Sequence, residues 1–228
     1  HSTGVVFTPV KKQHVDNTAL LAGKQIVVID AKGYCPYCEK FKKDVANEYM
    51  GTIPMTFRHA DQLDGLTIKT PTWATPTLLF IENGEEVYGR QGYVSRDEFY
   101  KALGAFKLGD SEAFRVAFHA RTDSPFCKQY DIFKNTPDGI FIDKLSGVPL
   151  FDTRDRFNSG TGWLSFTHPL KDSVTMHEDN SYGMQRIELK SKSSGIHLGH
   201  LFPGEGPRGK DRYCINATVL DFVPRDKS

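Results

Sequence analysis

An excess of charge of either sign is missing from this chain: 29 Lys and Arg face 28 Asp and Glu, for a formal net charge of +1. Nothing global therefore draws it to nucleic acid or to an anionic membrane surface. Long apolar runs are missing as well. The longest aliphatic stretch, Ile26-Val27-Val28-Ile29, falls far short of a membrane span. Cysteine is sparse: four in 228 residues are too few for a disulfide scaffold, and a chain of this length can fill a core without one. No internal repeat or low-complexity tract stands out. Aromatic residues are plentiful, with 16 Phe, 9 Tyr and 2 Trp in a 39% hydrophobic composition, which excludes a wholly disordered chain. We expect a soluble globular protein of one or two domains. The chain begins at His1 rather than Met, so we expect a trimmed or tagged start, and export stays open.

Two textures divide the sequence. Lys24 to Asp30 reads as a buried strand. It leads into Gly33-Tyr34-Cys35-Pro36-Tyr37-Cys38 and then Glu39 to Tyr49, where Phe41, Val45 and Tyr49 fall on one helical face. A strand is expected near Met55-Thr56-Phe57-Arg58. Thr77 to Ile81, Asn83-Gly84 and Glu86 to Tyr88 then make a β-hairpin. Ser95 and Glu98 form a capping box for a helix reaching Phe106. We therefore expect an α/β domain over 1–106, a linker over 107–112 and an irregular, mostly β domain over 113–228, with short β-like runs at Gly139–Asp143, Gln185–Lys190 and Asn216–Phe222.

Cys35 and Cys38, two residues apart at the mouth of a helix, have the spacing of a reducible disulfide. The helix N-terminus stabilises a thiolate on Cys35, and Cys38, one turn in, is the more buried thiol that resolves a mixed disulfide. A half-zinc site and an inert structural disulfide are the alternatives. Residues 24–106 resemble the thioredoxin superfamily, through the Cys-Pro-Tyr-Cys segment and through Ala74-Thr75-Pro76-Thr77-Leu78-Leu79-Phe80. That resemblance makes Pro76 the candidate cis-proline beside the dithiol.

The second half carries three dense motifs: Ser159-Gly160-Thr161-Gly162-Trp163-Leu164-Ser165-Phe166, His197-Leu198-Gly199-His200-Leu201-Phe202-Pro203 and Arg212-Tyr213-Cys214-Ile215-Asn216. A cation beside a cysteine depresses the thiol pKa, which makes Cys214 a candidate nucleophile next to Arg212. Imidazoles deliver protons, and an indole binds a thioether methyl. Taken singly, Trp163 also reads as core, and His197 and His200 also read as metal ligands or core histidines.

The combination resembles methionine sulfoxide reductase B over nearly all of 113–228. Asp138-Gly139-Ile140-Phe141, Gly147-Val148-Pro149-Leu150-Phe151 and Tyr182-Gly183-Met184-Gln185-Arg186 match as well. The resemblance implies reduction of methionine R-sulfoxide, free or in proteins, with Cys214 as nucleophile and Trp163 against the substrate methyl. His197, His200 and Asn216 would shape the sulfoxide-oxygen site, with Arg212 beside the nucleophile and His177 at a more variable polar position. Two departures are informative. Where many members hold zinc through four cysteines, this chain has Asp143, Ser146, Ser191 and Ser194, so no zinc or other metal is expected. Where many carry a resolving cysteine it has Thr161, which leaves Cys127 as the candidate resolving thiol or as an idle free cysteine.

We therefore expect a two-domain fusion, a thioredoxin-like α/β fold followed by a mostly β methionine sulfoxide reductase B fold. The Cys35/Cys38 dithiol would regenerate the reductase domain and would itself need an external dithiol donor. Oxidised proteins or free methionine sulfoxide are the expected substrates, with no nucleic acid partner. Analogy with exported thioredoxin-like proteins points to the bacterial periplasm, with the cytoplasm as the other setting. The rival readings are a thiol-disulfide oxidoreductase whose C-terminal domain only binds substrate proteins, and a redox sensor.

Overall fold

A computed structural model describes residues 15–226. Residues 1–14 of the expected first domain and 227–228 of the second lie outside the described residues. Packing divides the chain into two compact units: residues up to Phe41 with Ile53–Tyr93, and Lys42–Thr52 with Val94 onward.

The first unit is built on β1 (Lys24–Ile29), whose aliphatic run is buried throughout. Burial on both faces explains the absence of polar alternation in that run. Helix α1 (Pro36–Asp44) follows the dithiol. Strands β2 (Met55–Arg58), β3 (Thr77–Glu82) and β4 (Glu85–Gln91) complete a sheet of order β2-β1-β3-β4. Strand β1 runs parallel to β2 and antiparallel to β3. Leu20, Val27, Ile29, Leu79 and Ile81 form a core against which Leu63, Leu66 and Ile68 pack. Asn83 and Gly84 both take positive φ, +51° and +82°, as a tight hairpin turn between twisted strands requires.

The helix expected to reach Tyr49 ends at Asp44. Val45 leaves helical geometry at φ −130°, and Ala46–Glu48 form a separate 3-10 turn. Phe41 and Val45 are still buried, so the apolar spacing marked burial correctly but overstated the helix. Helix α2 (Arg96–Leu108) has the expected cap: Ser95 Oγ accepts from the Glu98 amide at 3.3 Å and donates to Glu98 Oε1 at 3.1 Å. Helix α3 (Glu112–His119) begins after only three intervening residues, with Ser111 as its cap.

Beyond α3 come the short α4 (Lys128–Phe133), β5 (Gly139–Asp143), β6 (Pro149–Asp152), β7 (Arg156–Phe157) and β8 (Leu164–Phe166). The chain continues through β9 (Val174–Asp179), β10 (Arg186–Ser191), β11 (His197–Phe202), β12 (Arg212–Ile215) and β13 (Leu220–Pro224). They form a six-stranded sheet of order β7-β8-β12-β11-β10-β9 and a three-stranded sheet of order β13-β5-β6. Asn216 and a turn over Ala217–Val219 delay the last strand relative to expectation.

Alternation along β12 sets what each face of the larger sheet does. Tyr213 and Ile215 share a buried face with their cross-strand neighbours Phe166 and Leu164. Phe166 stacks on Phe151 of the smaller sheet, with centroids 4.6 Å apart, and meets Phe141 edge-on at 5.6 Å. That face is core. Arg212 and Cys214 therefore belong to the opposite face.

Candidate active site

In the first unit, Cys35 immediately precedes α1 and Cys38 lies in its first turn; the two form a disulfide with Cα atoms 5.2 Å apart. Cys38 is buried at 3% exposure, while Cys35 is partly accessible. The Cys35 sulfur accepts from the Cys38 amide at 3.2 Å. It lies 3.6 Å from the Thr75 carbonyl oxygen and 3.5 Å from Thr75 Oγ1. The Thr75–Pro76 bond is cis. Tyr34, Tyr37 and Trp73 are all exposed.

In the second unit the chemistry sits in one row across the larger sheet. Ser165 is directly opposite Cys214, Cys214 opposite His200, His200 opposite Glu188, and Glu188 opposite His177. Residues directly opposite one another share a face, so five strands contribute to a single polar surface. His197 would fall on the other face in a regular strand, being an odd number of residues from His200. A bulge corrects this: Leu189 pairs Gly199 while Lys190 pairs His197, so Leu198 is the extra residue. The two imidazoles then lie 5.4 Å apart.

Asn216 holds the bulge. Its backbone N–H and its Nδ2 both donate to the Leu198 carbonyl at 2.9 Å, and its Oδ1 accepts from the Asp123 amide at 2.8 Å. The amide was expected to help shape the sulfoxide-oxygen site; in this structure its Oδ1 and its Nδ2 each bond backbone. Gly199 meets a related constraint, since a Cβ there would lie 1.9 Å from the Cys214 carbonyl oxygen. Only glycine lets β11 approach β12 this closely.

Each histidine is oriented by a carboxylate. His197, 2% exposed, donates Nδ1–H to Glu188 at 2.6 Å, and its Nε2 has no hydrogen-bond partner among the described residues. Burial pushes its pKa below the ordinary value, against the pull of Glu188, so the ring is neutral at pH 7 with a bare Nε2. His200 donates Nε2–H to Asp179 at 2.7 Å. Hydrogen bonds from Ser181 and His200 hold the Asp179 carboxyl far below the usual range. His177 is exposed and bonds Thr175 Oγ1 at 2.8 Å.

Cys214 departs from expectation. Arg212 does lower its pKa, by charge and by a hydrogen bond, but burial acts the other way and wins, so the thiol titrates above its ordinary value. The Arg212 guanidinium also lies 4.3 Å from the centroid of the Phe202 ring. On the other side of Cys214, Ser165 Oγ is 2.8 Å from Ser159 Oγ, which is 2.7 Å from Thr161 Oγ1. A hydroxyl chain thus runs from Thr161 to the cross-strand neighbour of Cys214.

Trp163 is half-buried and donates Nε1–H to the Asp123 carbonyl at 2.9 Å. With Tyr130, Arg156, Phe157, Asn158 and Ser165 it lines a cavity of about 140 Å³. The segment before α4 packs on this loop: Phe126, at φ +56°, donates its N–H to the Gly162 carbonyl at 2.9 Å. A Cβ on Gly162 would lie 2.7 Å from the Phe126 nitrogen. Cys127 comes next, with a free and partly accessible thiol. Asp123 therefore ties this segment to both Trp163 and Asn216.

Asp143, Ser146, Ser191 and Ser194, the positions expected to stand in place of zinc ligands, are buried together. Asp143 accepts from the amides of Leu145 at 2.8 Å and Ser146 at 3.0 Å, and from Ser194 Oγ. Ser193 Oγ lies 2.7 Å from Ser146 Oγ and 3.2 Å from Ser191 Oγ, joining the two turns. Sequence reasoning missed Glu188, Asp179 and Asp123. The only local signal for the first was a charged residue between apolar ones in Ile187-Glu188-Leu189.

Comparison with known families matches residues 110–224 to the SelR domain and residues 13–107 to a thioredoxin-like domain. The chain belongs to the SelR domain family. It is a methionine-R-sulfoxide reductase to which a thioredoxin-like reductant domain is fused. The reading of the C-terminal half as a mere binding module is not favoured.

Proposed function

We propose that Cys214 is the nucleophile of this SelR domain and that His200, held by Asp179, is the acid. The observation that carries this is the cross-strand row that sets His200 directly opposite Cys214. Cys214 passes its thiol proton to His200 and attacks the sulfoxide sulfur. The imidazolium so formed, held by Asp179, returns that proton to the sulfoxide oxygen, and methionine leaves while Cys214 becomes a sulfenic acid. His197 and Asn216 shape the site from the bulge, Arg212 stabilises the thiolate, and Trp163 receives the methyl group. His177, at the exposed edge of the row, contacts the substrate chain. Cys127 then condenses with the sulfenic acid to a disulfide and releases water.

Cys35 attacks that disulfide at Cys127, and Cys38 releases the mixed intermediate as Cys35–Cys38. An external dithiol protein reduces the pair again, and the exposed Tyr34, Tyr37 and Trp73 support docking of such a donor. Covalent linkage typically gives effective concentrations on the order of millimolar, which favours internal transfer. We propose that the domain dispenses with zinc, since the Asp143 carboxylate is already occupied by Leu145, Ser146 and Ser194. A bacterial periplasmic or otherwise exported repair role, acting on oxidised proteins, rests on analogy with exported thioredoxin-like proteins.

The test is turnover of separated R and S sulfoxide epimers with dithiothreitol, using the unaltered chain and Cys214→Ser. The R epimer should be consumed only by the unaltered chain, while both proteins reduce a model disulfide through Cys35 and Cys38. Substantial sulfoxide turnover by Cys214→Ser overturns the assignment.

A further inference from the structure

We propose that Asp123 is the base that takes the proton of Cys127 when that thiol closes a disulfide with the Cys214 sulfenic acid. The proposal rests on the reading of Cys127 as the resolving thiol.

Asp123 is 3% exposed, yet among the described residues its carboxylate bonds neutral donors: Thr218 Oγ1 donates to Oδ1 at 2.6 Å, the Thr218 amide to Oδ2 at 3.1 Å, and the Ala217 amide bonds it as well. Oδ2 also meets the Cys127 thiol, at a sulfur–oxygen distance of 3.9 Å. Cys127 occupies the N-cap position of α4, where a side chain normally accepts from the helix, but its sulfur caps nothing. The thiol is turned to the carboxylate instead. The Asp123 main chain meanwhile bonds Asn216, two residues beyond Cys214, and Trp163, which lines the cavity beside Ser165. One residue thus fixes the segment that carries the resolving thiol to the substrate end of the site and also contacts the thiol proton. Burial raises the affinity of the carboxyl for a proton above that of an ordinary aspartate, opposed by the bonds from Thr218 and Ala217, and Glu112 repels in the same direction as burial. A stronger base results.

The step balances without an outside oxidant or reductant. The Cys127 S–H bond breaks and its proton passes to Asp123 Oδ2. The sulfur electron pair forms the S–S bond to Cys214 as the Cys214 S–O bond breaks. The departing hydroxide takes a proton from solvent, Asp123 releases its own, and the net product is one water.

The experiment uses the full chain with Cys35→Ser and Cys38→Ser, so that the new disulfide persists. Reduced protein receives one equivalent of methionine R-sulfoxide, is quenched and thiol-blocked, and is followed by mass spectrometry for the Cys127–Cys214 disulfide and for released methionine. Asp123→Asn should lower the rate of disulfide formation relative to methionine release by about tenfold or more at pH 7. In that variant the disulfide step should climb about tenfold per pH unit as thiolate becomes available, a steeper rise than in the unaltered chain. Asp123→Glu should recover part of the rate, and Thr218→Val, which keeps the carboxylate, should retain the shallow pH profile. An unchanged ratio and slope in Asp123→Asn overturns the proposal. So does equal slowing in Asp123→Glu and Thr218→Val, or loss of methionine release itself, since these are the marks of a structural role. Wild-type cycling by Cys127→Ser with the intact fused dithiol as donor is a separate result, which overturns the resolving role on which the proposal rests.

Discussion

Replacing Asn216 by Ala should separate two ways in which that amide serves the reaction. Asn216 is 3% exposed, and its side chain makes two bonds to backbone, one to the Leu198 carbonyl and one from the Asp123 amide. The Leu198 carbonyl keeps a second donor, the Asn216 backbone N–H, so losing Nδ2 there forfeits about 1 kcal/mol. The Asp123 amide has no such reserve and is left buried without an acceptor, which costs about 1–3 kcal/mol. The sum is about 2–4 kcal/mol, a large part of the stability of an ordinary domain. Urea unfolding of the full chain, followed by fluorescence of Trp163 and Trp73, should show that loss. Turnover of the R epimer should fall with it, because the bulge that brings His197 beside His200 is released. If Asn216→Ala unfolds within about 0.5 kcal/mol of the unaltered chain yet loses turnover, the amide acts on the substrate directly and the positioning argument is wrong.

Two further perturbations follow from the same sheet. Gly199→Ala should lower stability by several kcal/mol and abolish turnover, because the new methyl must displace the strand carbonyl of Cys214; a folded, fully active variant in circular dichroism and epimer assays would refute the close approach. Alkylation of Cys214, measured in Cys127→Ser with the Cys35–Cys38 disulfide intact, should rise about tenfold per pH unit from neutrality past the ordinary thiol value of 9.0. The sign follows from burial, which raises the pKa and makes thiolate scarce at pH 7. Arg212→Ala removes the opposing cation and should slow alkylation further at pH 8, whereas a rate already flat at pH 7 would mean a preformed thiolate.

The first domain was legible because its signals are local. A buried β-branched run, an Asn-Gly turn and a Ser-x-x-Glu cap each act within a few residues, and β1, the hairpin and α2 stand where those signals put them. The end of α1 was not legible, because the spacing of Phe41, Val45 and Tyr49 reports burial, which a helix followed by a 3-10 turn satisfies equally well. In the second domain the motifs announced Cys214, His197 and His200 but not their partners. Glu188 and Asp179 come from β10 and β9, and what brings them to the imidazoles is strand register, which no single segment encodes.

Cys214 illustrates why a motif alone misjudges its own electrostatics. Arg212 is visible two residues away, and its effect on the thiol has the expected sign. The opposing effect is burial among neighbouring strands that are remote in sequence, and desolvation outweighs one partly solvated cation. A resting thiol that is protonated until substrate arrives is less open to adventitious oxidation than a standing thiolate. It also places the demand for proton transfer on the groups around it. The histidines have carboxylates, the resolving segment has Asp123, and each of those acids lies outside the three motifs that carry Trp163, the two histidines and Cys214.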